Sequence, residues 1–450
     1  MKVSDFYGRL VTVQSTTDLR LPQVTKLPAI KTSGKQLYCQ RCQQTFSKER
    51  FHLPNGADYC PYCLQFGRLT SQDSLYTIPE PNLFPVNEQP LSWQGKLSPL
   101  QQKCALILKE QAAVKKEFLL WAVTGAGKTE IMFPTISEAI KRKERICIAT
   151  PRIDVCNELF PRLQQAFDRT SIVLLHASSP MKYHYSQLVI CTTHQLIRFY
   201  QAFDLLIIDE VDAFPFVNNQ LLQMAVAKAR KPVSSLLLLT ATPTKQLLTK
   251  IKQHKLAFGY LPLRFHGHLL PVPRIMTLPN WRRDLLHYQL NRRLFKALKD
   301  WFAAGLPVLI FSPEIRLLVE IEKTIKKCFP QLAFSSVYAG DEKREQKVQT
   351  MRREKYQFLI TTTILERGVT FAKLNVVILG ADEQVFREES LVQIAGRAGR
   401  SLKRPTGEVI FVCSMLNQAV KRAVKQIKFL NRQGEKISNE NLSALSAKQY

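Results

Sequence analysis

From about residue 97 onward, short apolar runs alternate with helical patterns of apolar and polar positions. Each apolar run has the length of a buried strand. Strand and helix patterns that alternate in this way predict a parallel sheet with helices on both faces. The runs that define this first sheet are Phe118–Val123, Ile146–Thr150, Leu188–Thr192, Leu205–Asp209 and Leu236–Thr240.

The alternation stops at residues 259–281, which are rich in Gly, Pro and basic side chains, and restarts after a basic helix predicted near 282–304. The restart predicts a second parallel sheet, so the fold class is α/β with two such units in tandem. The strands of this second sheet are predicted at Val308–Ser312, Phe334–Tyr338, Phe358–Thr362, Val376–Leu379 and Val409–Val412.

These patterns divide the chain into seven segments. The first sheet unit covers residues 97–262, and the second covers residues 282–414, with a linker at 263–281 between them. The other segments are an N-terminal segment with mobility as one option (1–35), a cysteine module (36–68), a proline-rich linker (69–96) and a basic C-terminal helix with a polar tail (415–450).

The net charge of +28 over 450 residues indicates a binding partner. Positive charges in such excess would repel one another without an acidic partner. Nucleic acid is the first candidate partner, and an anionic membrane surface is the second. The N-terminus lacks an apolar signal core, and no run of about 18 apolar residues is present, so we expect no membrane span.

Four of the ten cysteines form two CxxC knuckles, Cys39-Gln-Arg-Cys42 and Cys60-Pro-Tyr-Cys63, separated by residues 43–59. This spacing is typical of a four-cysteine zinc site, since each knuckle makes the tight turn that tetrahedral thiolate ligands need. Two redox pairs or free core thiols are the alternatives. The remaining six cysteines stand singly in apolar surroundings, which favours core positions in a reduced, intracellular protein.

The segment Ala122-Val-Thr-Gly-Ala-Gly-Lys128-Thr129 follows the predicted strand Phe118–Val123 and precedes a helical pattern. The order of strand, glycine-rich loop and helix is that of a phosphate-binding P-loop, although Ala122 stands where the strict pattern has glycine. Backbone N–H groups of the loop and the helix N-terminus would hold phosphate oxygens. We expect Lys128 to reach the β- and γ-phosphates and Thr129 to help hold Mg²⁺. The other loop residues expected to bind the nucleotide are Thr124, Gly125, Ala126 and Gly127.

Two acids follow the apolar run Leu205–Ile208, at the edge of a parallel sheet where ligands bind. Asp209 is expected to hold Mg²⁺, and Glu210 to orient and polarise the attacking water. An acidic surface turn after a core strand is the alternative, and the P-loop some 80 residues earlier argues against it.

The third chemical element is Gln393-Ile-Ala-Gly-Arg397-Ala-Gly-Arg400. The two arginines are three residues apart, so they would share one side of a helical turn. Guanidinium groups so placed can clamp a γ-phosphate. A basic turn that contacts nucleic acid is the alternative.

The P-loop, Asp-Glu-Val-Asp212, Thr240-Ala-Thr-Pro243 and the Gln393–Arg400 segment occur in the order of superfamily 2 helicases, which this chain resembles. The resemblance implies two RecA-like domains with ATP between them, and Gln393, Arg397 and Arg400 acting catalytically. It further implies an adenine contact at Gln101, a nucleotide contact at Gly368 and contacts to single-stranded nucleic acid. The last group comprises Pro151, Arg152, Thr192, Thr193, His194, Thr361 and Thr362.

Two positions depart from the usual motifs. Thr370 stands where an acidic residue is usual three places after Arg367, which leaves the coupling of hydrolysis to strand binding open there. Gln393 replaces the histidine of RNA-remodelling DEAD-box enzymes, and Asp-Glu-Val-Asp replaces Asp-Glu-Ala-Asp. Both replacements favour members that translocate on DNA.

The position of the cysteine module before the helicase motifs, together with Pro262-Leu-Arg-Phe-His-Gly-His268, resembles the ComFA family of late competence ATPases. The resemblance implies an ATP-driven single-stranded DNA translocase for DNA uptake in transformation, with ATP, Mg²⁺ and Zn²⁺ as cofactors. It also implies a cytoplasmic protein, with the inner face of the membrane as one location, and a membrane DNA channel and a phosphoribosyltransferase-like ComFC as partners. The alternatives are a replication-restart or repair helicase of the PriA type and a non-catalytic nucleic-acid-binding scaffold.

Overall fold

The computed structural model describes residues 2–13, 23–402 and 404–439. The described residues form two compact units. One unit contains the described residues up to Lys96 together with Gln102–Leu120 and Thr129–Gly259. The other contains Leu97–Gln101, Trp121–Lys128 and the residues from Tyr260 onward. The phosphate loop is therefore grouped with the residues from Tyr260 onward.

The first unit begins with six short strands in two antiparallel sheets, of order β1-β6-β2 and β3-β4-β5. The strands are β1 (Val11–Thr12), β2 (Thr25–Pro28), β3 (Ile30–Ser33), β4 (Gln36–Cys39), β5 (Thr45–Ser47) and β6 (Ser74–Thr77). Short 3₁₀ helices lie at Val3–Phe6, Lys48–Arg50 and Pro61–Phe66. The predicted linker 69–96 thus contains β6, and the N-terminal segment 1–35 contains β1 to β3. Residues 1 and 14–22 of the N-terminal segment lie outside the described part of the chain.

The N-terminal segment is fixed to the first unit by Arg145, whose side chain is completely buried. Its guanidinium donates to the backbone oxygen of Tyr7 and forms an ion pair with the buried carboxylate of Glu80. A charge this deeply buried requires such partners, because an unpaired one would cost several kcal/mol. Segments before and after the cysteine module are therefore both attached to the same position of the first sheet unit.

A sheet of order β13-β7-β12-β11-β8-β10-β9 forms the centre of the first unit. Its strands β8 to β12 pair in parallel, and they are almost continuously buried because helices cover both faces. The elements are α1 (Pro99–Ala113), β7 (Glu117–Ala122), α2 (Lys128–Lys141), β8 (Ile146–Thr150), α3 (Ile153–Ala166), β9 (Ile172–Leu175), β10 (Leu188–Thr192), β11 (Phe203–Asp209), α4 (Gln220–Ala229), β12 (Arg230–Thr240), α5 (Lys245–Lys252) and β13 (Ala257–Leu261), with a 3₁₀ helix at Thr193–Arg198.

The second unit is built on a parallel sheet of order β14-β19-β18-β15-β17-β16. The elements are β14 (Arg274–Thr277), α6 (Trp281–Leu286), α7 (Arg292–Ala303), β15 (Val308–Phe311), α8 (Leu317–Cys328), β16 (Phe334–Val337), α9 (Arg344–Arg352), β17 (Phe358–Thr361), β18 (Asn375–Leu379), α10 (Glu388–Ala395), β19 (Val409–Cys413) and α11 (Gln418–Asn439), with a 3₁₀ helix at Thr363–Leu365. The basic helix predicted near 282–304 occurs as α6 and α7.

The predicted fold class, two α/β units with parallel sheets and a small cysteine module before them, is confirmed. The C-terminal segment forms α11 as far as Asn439, and residues 440–450 of the predicted tail lie outside the described residues. Within the described ranges, every helix is too short or too polar to cross a membrane.

Candidate nucleotide site and metal centre

The phosphate loop joins the end of β7 to the first residue of α2, Lys128. Gly125 and Gly127 have φ angles of +83° and +77°, in the left-handed region that residues other than glycine rarely adopt. Ala122, at the position of the missing motif glycine, is the last residue of β7 and is fully buried. A strand conformation needs no glycine, so this departure from the strict motif leaves the loop geometry intact.

Gln101 fixes the loop from the side on which the base would bind. Its Nε2 donates to the backbone oxygen of Ala126 over 2.8 Å, and its Oε1 accepts from the backbone N–H of Ser98 over 2.8 Å. The side chain is buried. Gln101 therefore connects the start of α1 to the phosphate loop. An adenine base bound to this amide would contact a group that is itself hydrogen-bonded to the loop.

A cavity of about 260 Å³ lies next to Gln101 within the second unit. Its wall includes the apolar side chains Leu100, Leu263, Phe265 and Ile437. Polar groups of Ser98, Gln101 and Arg264 also line it. A cavity with apolar walls and a few polar groups suits a purine ring, which offers a stacking face and a hydrogen-bonding edge. The cavity includes the last described turns of α11, a contribution that no sequence motif indicated.

Asp209 and Glu210 stand at the carboxyl end of β11. Asp209 is buried and accepts from the backbone N–H of Glu210 over 3.0 Å. Glu210 has a φ of +59°, which is uncommon for a side chain of this size. Such a backbone conformation persists only where the surrounding structure holds it in place.

Asp212 links this acidic turn to the end of β12. Its carboxylate accepts from the hydroxyl of Thr240 over 2.6 Å and from the hydroxyl of Thr242 over 2.5 Å. All three side chains are buried. The two motifs Asp-Glu-Val-Asp and Thr-Ala-Thr-Pro are therefore joined in one hydrogen-bonded cluster, and the sequence alone does not indicate a site role for these three residues.

The Gln393–Arg400 segment is held in the second unit by backbone and side-chain contacts. Gln393 accepts from the hydroxyl of Thr124 over 3.1 Å, and Arg397 donates from Nε to the backbone oxygen of Glu366 over 2.9 Å. A Cβ at Gly125 would lie 3.6 Å from Cγ of Arg400. The structure therefore brings the phosphate loop and the predicted arginine finger together within one compact unit.

Arg264 is a further site residue that the sequence did not single out. Its Nη1 donates to the oxygen of Gly399 over 2.6 Å, and its Nη2 donates to the oxygen of Gly396 over 3.2 Å. Burial lowers the pKa of Arg264 to about 9, with the nearby charge of Arg400 acting in the same direction. The group remains a cation at neutral pH and adds positive potential beside the phosphate loop.

His266 also contacts Gly399, through Nε2 at 3.2 Å from the backbone oxygen. The carbonyl can only accept, so Nε2 carries the hydrogen. Burial, followed by the charge of Arg264, lowers the pKa of His266 to about 4, so the ring is neutral at physiological pH. Among the described residues, no metal-ligand group includes His266 or His268, and His266 acts as a loop contact.

Most residues predicted to contact the nucleic acid are buried at the ends of their strands. The side chains of Thr192, Thr193, Thr361 and Thr362 are buried, whereas Arg152 and His194 are partly exposed. Burial also lowers the pKa of His194, which favours the neutral ring. Pro151 is buried as well. Contacts at the buried positions would therefore have to come from the backbone of these turns.

The four knuckle cysteines are buried together in the first unit, and their sulfur atoms all lie within 4.8 Å of one another. The Cys39–Cys63 and Cys42–Cys60 sulfur separations are 3.7 and 3.5 Å. Tetrahedral zinc with bonds of about 2.3 Å requires ligand separations of about 3.8 Å. The site therefore fits a zinc ion, and these four thiolates would hold it.

The zinc module has no core of its own. Cys39, Leu37 and Phe46 belong to the same apolar cluster as Phe203 and Leu222 of the first large sheet unit. Lys228 of α4 is buried against the module, and its Nζ donates to the backbone oxygens of Arg41 and Ile197. The cysteine module is thus part of the first sheet unit rather than a separate appendage.

The comparisons with known proteins agree with this geometry. The DEAD/DEAH box helicase family matches residues 98–250, and the Helicase conserved C-terminal domain family matches residues 291–401. Among solved structures, "S. cerevisiae Dbp5 bound to RNA and ADP BeF3" is similar in fold, with a TM-score of 0.53 at 15% identity over 74% of this chain and 91% of that chain. The class of protein is therefore a superfamily 2 helicase-like protein with two RecA-like domains, a fold that implies nucleotide binding with Mg²⁺.

Two curated relatives match nearly the whole chain. The competence protein ComFA of Streptococcus pneumoniae is 41% identical over 434 residues, which are 96% of this chain and 99% of that protein. The competence protein ComFA of Bacillus subtilis is 41% identical over 422 residues, which are 92% of this chain and 90% of that protein. The chain belongs to the ComFA family.

Proposed function

We propose that the chain is a DNA-stimulated ATPase that translocates on single-stranded DNA and powers DNA uptake in natural transformation. The observation that carries this proposal is that the chain matches a competence protein over 96% of its length and has Lys128, Asp209, Glu210, Arg397 and Arg400 in its helicase motifs. The net charge of +28 supports a polyanionic partner.

In this proposal, the phosphate loop and Lys128 bind the β- and γ-phosphates, and the cavity beside Gln101 holds the base. Thr129 and Asp209 would hold Mg²⁺, which supplies charge neutralisation at the phosphate oxygens. Gly368, whose φ of +72° favours glycine, would bring its backbone close to the nucleotide. These contacts position the nucleotide and leave its γ-phosphate open to water.

Hydrolysis would then depend on charge and position more than on covalent chemistry. Glu210 orients and polarises the attacking water. Arg397 and Arg400 stabilise the charge that develops on the γ-phosphate, and Gln393 orients the phosphate side of the loop through its contact with Thr124. Arg264 holds Gly396 and Gly399 and so positions both arginines.

Single-stranded DNA would be held mainly by its phosphates. We propose Arg152 and His194 as side-chain contacts, because both are partly exposed. The turns at Pro151, Thr192–Thr193 and Thr361–Thr362 would contribute backbone N–H groups, which bind phosphate without regard to sequence.

The decisive experiment measures ATP turnover by the full chain with and without single-stranded DNA, beside a Lys128→Ala variant. We expect turnover to rise with DNA and to be lost in the variant. Turnover at the wild-type rate in Lys128→Ala would show that the hydrolysis comes from another site or a contaminant. A chain that binds DNA without any turnover would instead be the non-catalytic scaffold.

A replication-restart or repair helicase of the PriA type is the second candidate, because the same helicase motifs serve both functions. The two differ on forked DNA, since a restart helicase separates the strands and a translocase for uptake needs only to move along one. Strong ATP-dependent unwinding of a fork would favour the restart helicase.

The remaining proposals concern location and partners. An uptake motor would work on the cytoplasmic side, at the inner face of the membrane, beside the membrane DNA channel. A phosphoribosyltransferase-like ComFC is a further proposed partner. Co-purification of the chain with these proteins from competent cells would test this placement.

A further inference from the structure

We propose that Arg41 and Lys228 form a buried cation pair that neutralises the zinc-bound thiolates and fastens the metal centre to the 3₁₀ turn Thr193–Arg198. Zinc binding would then hold the turn that carries Thr193 and His194 in the position that binds single-stranded DNA. The DNA part of this inference rests on the proposed function, whereas the link between metal and turn does not.

The first observation is the charge around the site. Zinc with four thiolates carries two net negative charges, and burying them requires compensation. Arg41 and Lys228 are only 4% and 6% exposed. Neither cation forms an ion pair with a carboxylate of the described residues. The Nε of Arg41 lies 3.4 Å from Sγ of Cys63, so the thiolate cluster is the anion that Arg41 faces, and Lys228 reaches the same knuckle through the backbone oxygen of Arg41.

The second observation is that Lys228 bridges two segments. Its Nζ donates to the backbone oxygen of Arg41, inside the first zinc knuckle, and to that of Ile197 over 2.7 Å, inside the 3₁₀ turn. An ammonium group has three donors and can hold both carbonyls at once. Lys228 is therefore a positioning residue that connects the two segments from helix α4.

The third observation is that the same turn contacts the second knuckle. Arg198 donates from Nη2 to the backbone oxygen of Phe66 over 3.2 Å, and the rings of Phe66 and His194 are 5.9 Å apart. Arg41 in turn donates to the oxygens of Cys63 and Gly67. Both ends of the turn are thus attached to the zinc module, one through His194 and the other through Ile197 and Arg198.

Loss of the metal would remove the ion around which the four sulfur atoms are gathered. Arg41 would then lose the anionic cluster that it faces, and keeping Arg41 and Lys228 buried without that cluster carries a high desolvation cost. The module would open toward solvent, and the turn Thr193–Arg198 would lose its attachments.

The test compares Lys228→Met with Lys252→Met, a matched control at an exposed lysine of α5 in the same unit. Zinc release to a chromogenic chelator and affinity for a fluorescent single-stranded oligonucleotide are measured for both. Since removing a group that supports metal ligands typically costs 10- to 100-fold in metal affinity, we expect about tenfold faster zinc release and about tenfold weaker DNA binding in Lys228→Met alone. Values within twofold of the wild type would overturn the proposal.

If Lys228→Met does not fold, a second measurement on the wild-type chain tests the link between the zinc site and the turn Thr193–Arg198. Amide hydrogen exchange is followed before and after zinc is removed by a chelator. We expect residues 193–198 to lose the most protection, together with residues 39–67, and α3 of the same unit to lose less. Protection of 193–198 that survives zinc removal, or a chain that binds no zinc, would refute the link. Zinc release and hydrogen exchange are measured without ATP or DNA, so both results are independent of the proposed motor function.

Discussion

Arg264 donates two hydrogen bonds to the glycine-rich turn after α10, and the bond to the backbone oxygen of Gly399 is 2.6 Å long. A buried arginine outside the helicase motifs thus holds the backbone between Arg397 and Arg400. A planar guanidinium can reach two carbonyls from one fixed position, whereas an ammonium group is a single point of charge.

We therefore predict that Arg264→Lys lowers kcat for ATP hydrolysis by about tenfold and destabilises the chain by about 2 kcal/mol, since one hydrogen bond to a charged group is lost. The control is Arg283→Lys, an exposed arginine of α6. Steady-state kinetics and thermal unfolding measure both effects. An Arg264→Lys protein with wild-type kcat would show that the clamp is only structural.

Lys128→Ala and Glu210→Gln should each reduce ATP turnover by about 10²-fold or more, because both remove charge or orientation at the γ-phosphate. The two variants should differ in nucleotide binding. Lys128→Ala loses a direct phosphate contact and should bind ATP weakly, whereas Glu210→Gln should bind it at nearly the wild-type affinity. Equal losses of affinity in a fluorescent-nucleotide titration would contradict these separate roles.

Much of the fold was predictable from the sequence because its strands are continuous apolar runs between polar turns. The predicted strands Val308–Ser312 and Val376–Leu379 differ from β15 and β18 by one residue at one end. In contrast, β14 was not predicted, since Arg274–Thr277 is a short strand at the sheet edge with polar residues at both of its ends. An edge strand is buried on fewer sides and has a weaker hydrophobic pattern.

The candidate site was predictable only where its residues are close in sequence. The P-loop and the CxxC knuckles carry their chemistry in a local spacing, so Lys128 and the four cysteines could be assigned directly. Arg264 contacts Gly396 and Gly399, and Lys228 contacts Arg41, over more than 100 positions in sequence, and nothing near Arg264 or Lys228 indicates these contacts. Asp212 and Thr242 belong to the motifs Asp-Glu-Val-Asp and Thr-Ala-Thr-Pro, but their hydrogen bond is visible only in the structure.

Arg400→Ala should lower kcat and leave the affinity for ATP largely intact. Arg400 is expected to act on charge that develops only in the transition state, and the loss of such a contact appears in kcat. Lys421→Ala, at an exposed cation of α11, is the matched control. If ATP affinity collapses while kcat survives, Arg400 is a ground-state binding residue.

His266 should make the stability of the chain depend on pH in the acidic range. Its pKa in the folded chain is about 4, below the ordinary value of about 6.5, so its neutral form is favoured by folding. This contribution is present above pH 6.5 and is lost as the pH falls toward 4, because the unfolded chain binds the proton first. The difference in Tm between the wild type and His266→Gln should therefore shrink between pH 7.5 and pH 5. A difference that stays constant would show that His266 does not titrate in this way.

A double Cys60→Ser, Cys63→Ser variant should lose zinc and destabilise the whole first unit. The reason is the shared core, since Cys60 and Cys63 belong to the same apolar cluster as Phe203 of the central sheet. Structural zinc supplies a large share of the folding free energy of such modules, so we expect Tm to fall by at least about 10 °C. Cys328→Ser, at a partly exposed cysteine of α8, serves as the control. Elemental analysis and calorimetry measure the two effects. If the variant lost its zinc but melted at the wild-type temperature, the cysteine module would be an independent appendage despite the core that it shares with the sheet.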